Sequence, residues 1–148
     1  MDHAFVGHTK STIQVNQPHH IMPSLQTLLD DVDDSTVEII NLLQGLVRIP
    51  SVNTGVMPTG DETPVAEFAR DWLVDQGIHA KILGREPKRG NLIAVAPGDE
   101  SDTSLMLMSH LDVVPVEDLG KWQHEPFSGT ISRGRVYGRG SSDCKGLL

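Results

Sequence analysis

Two short segments in the last third of the sequence carry side chains of the types that bind metal ions. The first is His110-Leu111-Asp112, which directly follows the apolar run at residues 105–108. An imidazole at the carboxyl end of a strand can ligate a divalent metal through one nitrogen, while its other N–H needs an acceptor that fixes the ring. Asp112 has the spacing to be that acceptor. Alone, however, this pattern is more typical of a polar turn after a core strand.

The second segment is the glycine-rich stretch at residues 138–142, which leads directly into Asp143. Glycine lets the backbone approach a site closely or adopt a positive φ. A carboxylate has two oxygens, so Asp143 can bridge two metal ions about 3.5–4 Å apart. Alone, this stretch is more typical of a solvated hairpin, and only the two segments together indicate a metal site.

The composition sets the class of protein in which such a site would lie. The 148 residues have the length of one ordinary domain, and a formal net charge of −8 argues against a nucleic-acid-binding surface. The single cysteine, Cys144, excludes an internal disulfide and favours a reducing compartment. No apolar run approaches the roughly 20 residues of a membrane span, and the first residues do not resemble a secretory signal. We therefore expect a cytoplasmic protein with no membrane and no nucleic-acid partner.

Hydrophobic periodicity predicts the helices. Residues 1–34 are polar and acidic, and we expect a flexible leader in which Leu25 and its neighbours begin a short amphipathic helix. Two further helices are predicted at residues 35–48 and 62–76, because apolar residues recur there at helical spacing. Pro50 ends the first of these helices, and Gly77 suits the end of the second.

Strands follow the helices. The patterns predict strands at residues 78–83, 91–96 and 105–108, the last two buried on both faces, and a hairpin at 130–137 that turns near Arg133 and Gly134. A further helix is expected to begin after Asp143. This order predicts an α/β domain over residues 35–148, in which helices flank a layered mixed sheet.

Taken together, the two chemical segments resemble the signature of the M20 family of zinc-dependent metallopeptidases and deacylases. That family includes acetylornithine deacetylase, succinyl-diaminopimelate desuccinylase, aminoacylase-1, carboxypeptidase G2 and carnosinase-like dipeptidases. The likeness covers roughly residues 36–148. The matching residues are Arg48-Ile49-Pro50-Ser51-Val52, Asp61-Glu62, His110-x-Asp112-Val113-Val114-Pro115, Trp122, Pro126-Phe127 and Tyr137-Gly138-Arg139-Gly140-x-x-Asp143-x-Lys145-Gly146.

The resemblance implies a role for three of these residues. His110 would ligate one metal ion, Asp143 would bridge both ions, and Asp112 would be a catalytic residue that orients or polarises a ligand. It also implies two zinc ions, for which cobalt or manganese can substitute, and a cis peptide bond between Asp143 and Cys144. The implied reaction is hydrolysis of an amide or peptide bond in a small N-acyl amino acid or dipeptide-like substrate. In it a glutamate takes the proton of a zinc-bound water.

The sequence departs from the family pattern at three points. Ser109 replaces a glycine before the histidine, and Leu147 replaces a second glycine after Lys145. The family's Glu-Glu pair, a further acidic ligand, the last histidine and the inserted lid domain all belong downstream of the matched region. We therefore expect an incomplete zinc-hydrolase catalytic domain that lacks the lid and dimerisation domain and is inactive alone. A homodimer is expected only of the complete protein.

Two other interpretations stay open at this point. The first is a non-catalytic association module left by truncation. The second is a mononuclear metal-binding protein that uses His110, Asp143 and Cys144. For the neighbouring residues the simpler roles are preferred. We expect a local cap at Lys145, hydrogen bonds from Arg139 that order its loop, and packing or loop roles for Trp122, His124 and Phe127.

Overall fold

The computed structural model describes residues 22–56, 60–98 and 103–148, and the chain divides into two units between Asp33 and Asp34. The first unit contains helix α1 (Leu25–Asp34) up to Asp33. The Ser24 hydroxyl accepts the Thr27 N–H at 3.1 Å at the start of this helix, so the short helix expected there is present. No residue of α1 is buried. The flexible leader is predicted over residues 1–34, of which residues 1–21 lie outside the described residues, and it stays a prediction.

The second unit combines two helices with small antiparallel sheets, which confirms the α/β class. No helix of the described residues is long and apolar enough to cross a membrane. The elements are α2 (Thr36–Arg48), α3 (Thr63–Asp75), β1 (His79–Glu86), β2 (Arg89–Val95), β3 (Thr130–Ser132) and β4 (Arg135–Tyr137), with short 3₁₀ turns at Leu119–Lys121 and Lys145–Leu147.

Both predicted helices of this unit form, and local signals set their ends. Helix α2 stops before Pro50, because Ile49 already has the extended backbone that a following proline requires, with ψ of 107°. Helix α3 has Pro64 in its first turn, and Gly77 follows its end with a φ of 77°. The helix expected after Asp143 is only the 3₁₀ turn Lys145–Leu147.

The core of this unit lies between the two helices and receives side chains from two later segments. Leu46 of α2 packs with Val65 and Ala69 of α3. Leu92 of β2 and Leu111 pack against this cluster. Because Leu111 lies between His110 and Asp112, its packing anchors the first chemical segment to the core. In an extended backbone the two neighbouring side chains then point away from the core.

The strands predicted at residues 78–83 and 91–96 both form, but the second is not buried as expected. Strands β1 and β2 pair antiparallel, with His79 opposite Val95. The expectation of a doubly buried strand at 91–96 is therefore wrong: Ile93 and Val95 are exposed. Two residues, Pro87 and Lys88, connect the strands, and so short a link cannot make the crossover that a parallel pair requires.

The strand expected at residues 105–108 is also wrong. These four apolar residues are 75–85% exposed and belong to no strand. Within the described part of the chain no backbone pairs with them, and an extended segment needs a hydrogen-bonded neighbour to become a strand. The second sheet, β3 with β4, is the predicted hairpin, and Arg133 and Gly134 form its turn with positive φ angles of 48° and 72°. Because the described residues hold two separate two-stranded sheets, the layered arrangement stays a prediction.

A buried ion pair joins the start of α3 to β2. Glu62 is 5% exposed, and its Oε1 lies 2.6 Å from Nη1 of Arg89. Burial raises the pKa of Glu62 above its ordinary value of 4.5, and the positive charge of Arg89 opposes that rise. The negative charge of Asp112 adds to the rise. The pKa of Glu62 therefore depends on the charge of Asp112.

We predict that Arg89→Met raises the pKa of Glu62 further, because the substitution removes the charge that favours the carboxylate. The pKa is followed by NMR titration of the Glu62 carboxyl carbon.

The direction of this pKa shift also sets how the stability depends on pH. In the folded protein the pKa of Glu62 is already above 4.5. The stabilising contribution of Glu62 is therefore full in acid and is lost as the pH rises through its folded pKa. Arg70→Met, at the exposed Arg70–Asp71 pair, is the matched control and leaves the pKa of Glu62 unchanged. An unchanged pKa in Arg89→Met contradicts the prediction.

Candidate metal centre

The segment around Asp112 is held in place by the residues that follow α2. The Val113 N–H donates to the carbonyl of Ser51 at 2.9 Å, and the Asn53 N–H donates to the carbonyl of Val113 at 2.8 Å. These bonds form a parallel bridge between Val52 and Val113. The buried Ser51 hydroxyl donates to the carbonyl of Leu111 at 2.7 Å. The backbone on both sides of Asp112 is therefore fixed against the core helix.

The orientation of the His110 ring follows from its contacts with Asp112. Its Nδ1 lies 2.8 Å from the backbone carbonyl of Asp112 and 3.3 Å from Oδ1 of the Asp112 carboxylate. A carbonyl oxygen only accepts hydrogen bonds, so Nδ1 carries the hydrogen. In the neutral ring the lone pair is then on Nε2, which is the arrangement found in metal-ligating histidines.

Asp143 faces that lone pair. Nε2 of His110 lies 3.2 Å from Oδ1 of Asp143, a residue 33 positions later in the chain. The Asp143 side chain is 93% exposed and that of His110 is 51% exposed. Two acceptors that face each other at this distance need a cation between them. A proton on Nε2 is one such cation, and accordingly the hydrogen bond to the Asp112 carbonyl, together with the nearby carboxylates, raises the pKa of His110.

A zinc ion also satisfies this pair. Tetrahedral zinc with bonds of about 2.0–2.2 Å to nitrogen and oxygen separates those ligand atoms by roughly 3.4 Å. The observed separation of 3.2 Å is close to that value. This pair therefore fits a divalent metal ion. It offers one nitrogen and one oxygen, the hydrogen is on Nδ1 so that Nε2 is free to bind, and the Asp143 side chain is exposed.

Glycines allow the Asp143 loop to approach the core closely. A side chain at Gly138 would collide with Val47 of α2, while the next N–H, of Arg139, donates to the carbonyl of Pro126 at 2.7 Å. Gly140 has a φ of 90°, and a Cβ there would lie 2.7 Å from the Val113 side chain. Gly138 is therefore required because the backbone lies close to α2. Gly140 is required both by its close approach to Val113 and by its positive φ.

A buried lysine fixes the other end of this loop. Lys145 is 1% exposed, and its Nζ donates to the carbonyls of Leu46 and Ile49 at 2.8 and 2.7 Å. These are carbonyls at the carboxyl end of α2, where the helix dipole favours a positive charge. Burial lowers the pKa of Lys145 to about 8. Lys145 therefore caps a helix, but not locally as expected: the two carbonyls belong to residues 99 and 96 positions earlier in the chain. It ties the loop to the helix that precedes residues 51–53.

Cys144 joins the two chemical segments. The His110 N–H donates to the Cys144 sulfur at 3.2 Å, and the Ser109 hydroxyl lies 2.9 Å from the same atom. Ser109, where the resemblance implies a glycine, therefore has a partner for its hydroxyl. The peptide bond between Asp143 and Cys144 is cis, as the resemblance implies. One ligand atom from each of His110, Asp143 and Cys144 lies within 4.8 Å of the others, and the described residues contain no second group of this kind.

Comparison with known proteins gives the family of this chain. The sequence profile of peptidase family M20/M25/M40 matches residues 106–148, the stretch that contains His110, Asp112 and Asp143. The chain is 32% identical over 126 residues to N-formyl-4-amino-5-aminomethyl-2-methylpyrimidine deformylase of Halalkalibacterium halodurans, which covers 84% of the chain and 29% of that protein. It is 34% identical over 113 residues to succinyl-diaminopimelate desuccinylase of Blochmanniella floridana, covering 75% and 28%.

The chain belongs to the M20 family. It is also 28% identical over 111 residues to acetylornithine deacetylase of Pasteurella multocida, covering 74% of the chain and 28% of that enzyme. The chain thus spans less than a third of the length of the curated relatives that it matches. M20 relatives are hydrolases, and the matched region is the amino-terminal part of the family's sequence.

In this M20 chain, Arg139 and His124 near the His110–Asp143 pair have the roles expected of them. The Arg139 guanidinium lies 5.0 Å above the Trp122 ring and donates to the carbonyl of Pro115 at 3.3 Å, which confirms that Arg139 orders its loop. His124 packs edge-on against Tyr137, with ring centroids 4.7 Å apart, and does not belong to the metal group. His110, Asp143 and Arg139 line a cavity of about 220 Å³.

Sequence reasoning missed one residue of this site. Asn53 lies between the helices predicted at residues 35–48 and 62–76, and its side-chain Nδ2 donates to Oδ2 of Asp112 at 2.7 Å. The two residues are 59 positions apart. No local pattern connects them, and the match of residues 48–52 to the family stops just before Asn53. Only the bridge between Val52 and Val113 reveals the contact.

Proposed function

We propose that this chain supplies the His110–Asp143 half of a two-zinc centre in a hydrolase of amide or peptide bonds. The substrate class is a small N-acyl amino acid or a dipeptide-like molecule. The observation that carries the proposal is the pair of acceptors, Nε2 of His110 and Oδ1 of Asp143, at 3.2 Å. The matched relatives are named as a deformylase, a desuccinylase and a deacetylase, and each name denotes removal of an acyl group.

The residues of the chain would divide the work as follows. His110 offers Nε2 to one metal ion, while Asp112 accepts the hydrogen on Nδ1 and keeps the ring in that tautomer. Asp143 offers Oδ1 on the side of His110 and has a second oxygen for a second ion. When bound, the two zinc ions lower the pKa of water and polarise the substrate carbonyl. The exposed face of Asp143 leaves room for further ligands and for substrate.

We further propose that a polypeptide of these 148 residues does not turn over substrate by itself. Hydrolysis needs a base that takes the proton of the attacking water. Among the described residues, the group around His110 contains no glutamate. Glu62 is buried and paired with Arg89, so its carboxylate is engaged elsewhere.

A mononuclear site is the second candidate. It is favoured by the close approach of Cys144 to His110 and Asp143, with one ligand atom from each within 4.8 Å. In this arrangement the thiolate is the third ligand, and it exchanges its hydrogen bonds with the His110 backbone for a bond to the metal. Cobalt distinguishes the two candidates, because only cobalt bound to Cys144 gives a sulfur-to-metal charge-transfer band in the near ultraviolet.

We predict that the polypeptide binds zinc with submicromolar affinity and that His110→Ala and Asp143→Ala each weaken binding at least about tenfold, since each removes a direct ligand. Isothermal titration calorimetry at pH 8 measures the affinity. His124→Ala is the matched control, because His124 packs on Tyr137 away from the metal group, and it retains the original affinity. Equal affinity in Asp143→Ala and in the unmodified chain contradicts the proposed site.

The inactivity of the isolated polypeptide is tested by incubation with N-acetyl amino acids and dipeptides in the presence of zinc or cobalt. We expect no product above a sample that lacks protein, because the group of possible metal ligands found among the described residues contains no glutamate to act as the base. Turnover that disappears in His110→Ala would refute the inactivity and at the same time support the metal site. Turnover that persists in His110→Ala indicates a contaminating hydrolase and leads to repurification from a different host.

A further inference from the structure

Hydrogen bonds of both the backbone and the side chain hold Asn53 in place. Its backbone N–H donates to the carbonyl of Val113 at 2.8 Å. Its side-chain Oδ1 accepts the Gly55 N–H at 2.8 Å, and its Nδ2 donates to Oδ2 of Asp112 at 2.7 Å. One end of the amide must accept a hydrogen bond and the other must donate one. This assigns the oxygen to the Gly55 side and the nitrogen to the Asp112 side. The Asn53 donor is therefore aimed at Asp112 by the loop itself.

The two carboxylate oxygens of Asp112 have different neighbours. Oδ2 receives the hydrogen bond of Asn53, and Oδ1 lies 3.3 Å from Nδ1 of His110. The Asp112 side chain is 30% exposed. A hydrogen bond of 2.7 Å to an ionised carboxylate is of the stronger, charge-assisted type. It restrains the rotation that would exchange the two oxygens or turn Oδ1 away from the imidazole.

We propose that Asn53 is a positioning residue of the metal centre. It holds the Asp112 carboxylate with one oxygen on the Nδ1 side of His110, and through that ring it keeps Nε2 directed at Asp143. The proposal rests on the proposed metal-dependent function. It adds a third segment of the chain, the loop after α2, to the two segments that carry His110 and Asp143.

The side chain of Asn53 has this role separately from its backbone. The bridge that supports residues 111–113 uses backbone atoms of Asn53 and Val113 and the carbonyl of Ser51. A substitution at position 53 leaves those atoms in place. A purely structural role of the side chain would act on the stability of the loop, whereas a positioning role acts on His110 and only while Asp112 is present.

The first arm of the test needs no metal. The ¹⁵N signals of the His110 ring are recorded for the full chain at pH 8, for Asn53→Ala, Asp112→Ala and the double variant. We expect Asn53→Ala to shift these signals in the same direction as Asp112→Ala, and the double variant to match Asp112→Ala. Signals in Asn53→Ala that equal those of the unmodified chain overturn the proposal, and so do additive shifts in the double variant.

The second arm measures zinc affinity for the same set. Loss of a partner that orients a ligand weakens metal binding by about 10- to 100-fold. We expect a loss of at least about tenfold in Asn53→Ala and no further loss when Asp112 is already alanine. Thr54→Ala is the matched control, because its hydroxyl donates to the Val56 carbonyl in the same loop, and it keeps the original affinity. Unchanged affinity in Asn53→Ala, or independent losses in the double variant, overturns the proposal.

Asn53→Asp keeps the test decisive if the alanine variant folds poorly. It preserves the size of the side chain and the oxygen that accepts the Gly55 N–H, but it replaces the donor with an oxygen that repels Asp112. We expect zinc affinity to fall at least as far as in Asn53→Ala, and wild-type affinity contradicts the proposal. If the unmodified chain binds no zinc, the proposed function fails, and the metal-free NMR arm still decides the role of Asn53.

Discussion

The carboxyl end of helix α2 is the anchor on which the candidate site depends. Immediately after this helix, Ser51 and Asn53 form the backbone bridge that holds residues 111–113. Within the helix end itself, the carbonyls of Leu46 and Ile49 accept both hydrogen bonds given by the buried Lys145. One element therefore positions the segment that carries His110 and the loop that carries Asp143.

This common anchor explains why the segments that contain His110 and Asp143, each a weak sequence pattern alone, lie together in the structure. His110 and Asp143 come from separate irregular segments, and neither belongs to a helix or a strand. Their side chains meet because each segment is tied to the same helix end and because Cys144 joins the segments directly through the His110 N–H. A buried ammonium that caps a helix is costly to disturb, since its loss leaves two carbonyls without their donor. We infer that the separation between the proposed ligands is set by the core rather than by the exposed loops.

Much of the local structure could be predicted from the sequence, because it depends on neighbouring residues. Helices α2 and α3 follow from apolar spacing and from Pro50 and Gly77, and the hairpin β3–β4 follows from its turn at Arg133 and Gly134. The strand at 105–108 was wrong because a strand needs a partner, and hydrophobicity alone does not supply one. The Asn53–Asp112 contact and the Glu62–Arg89 pair could not be predicted, since each joins residues far apart in the chain without any local pattern. His110, Asp112 and Asp143 could be named as candidates because the combination of the two segments resembles the M20 signature.

The central claim is that His110 and Asp143 share a metal ion. Crystals of the protein grown with zinc, measured on both sides of the zinc absorption edge, locate the metal directly by its anomalous scattering. The structure predicts an anomalous peak about 2.0–2.2 Å from both Nε2 of His110 and a carboxylate oxygen of Asp143. An anomalous peak at other side chains, with Nε2 and Oδ1 still in direct contact, would contradict the claim.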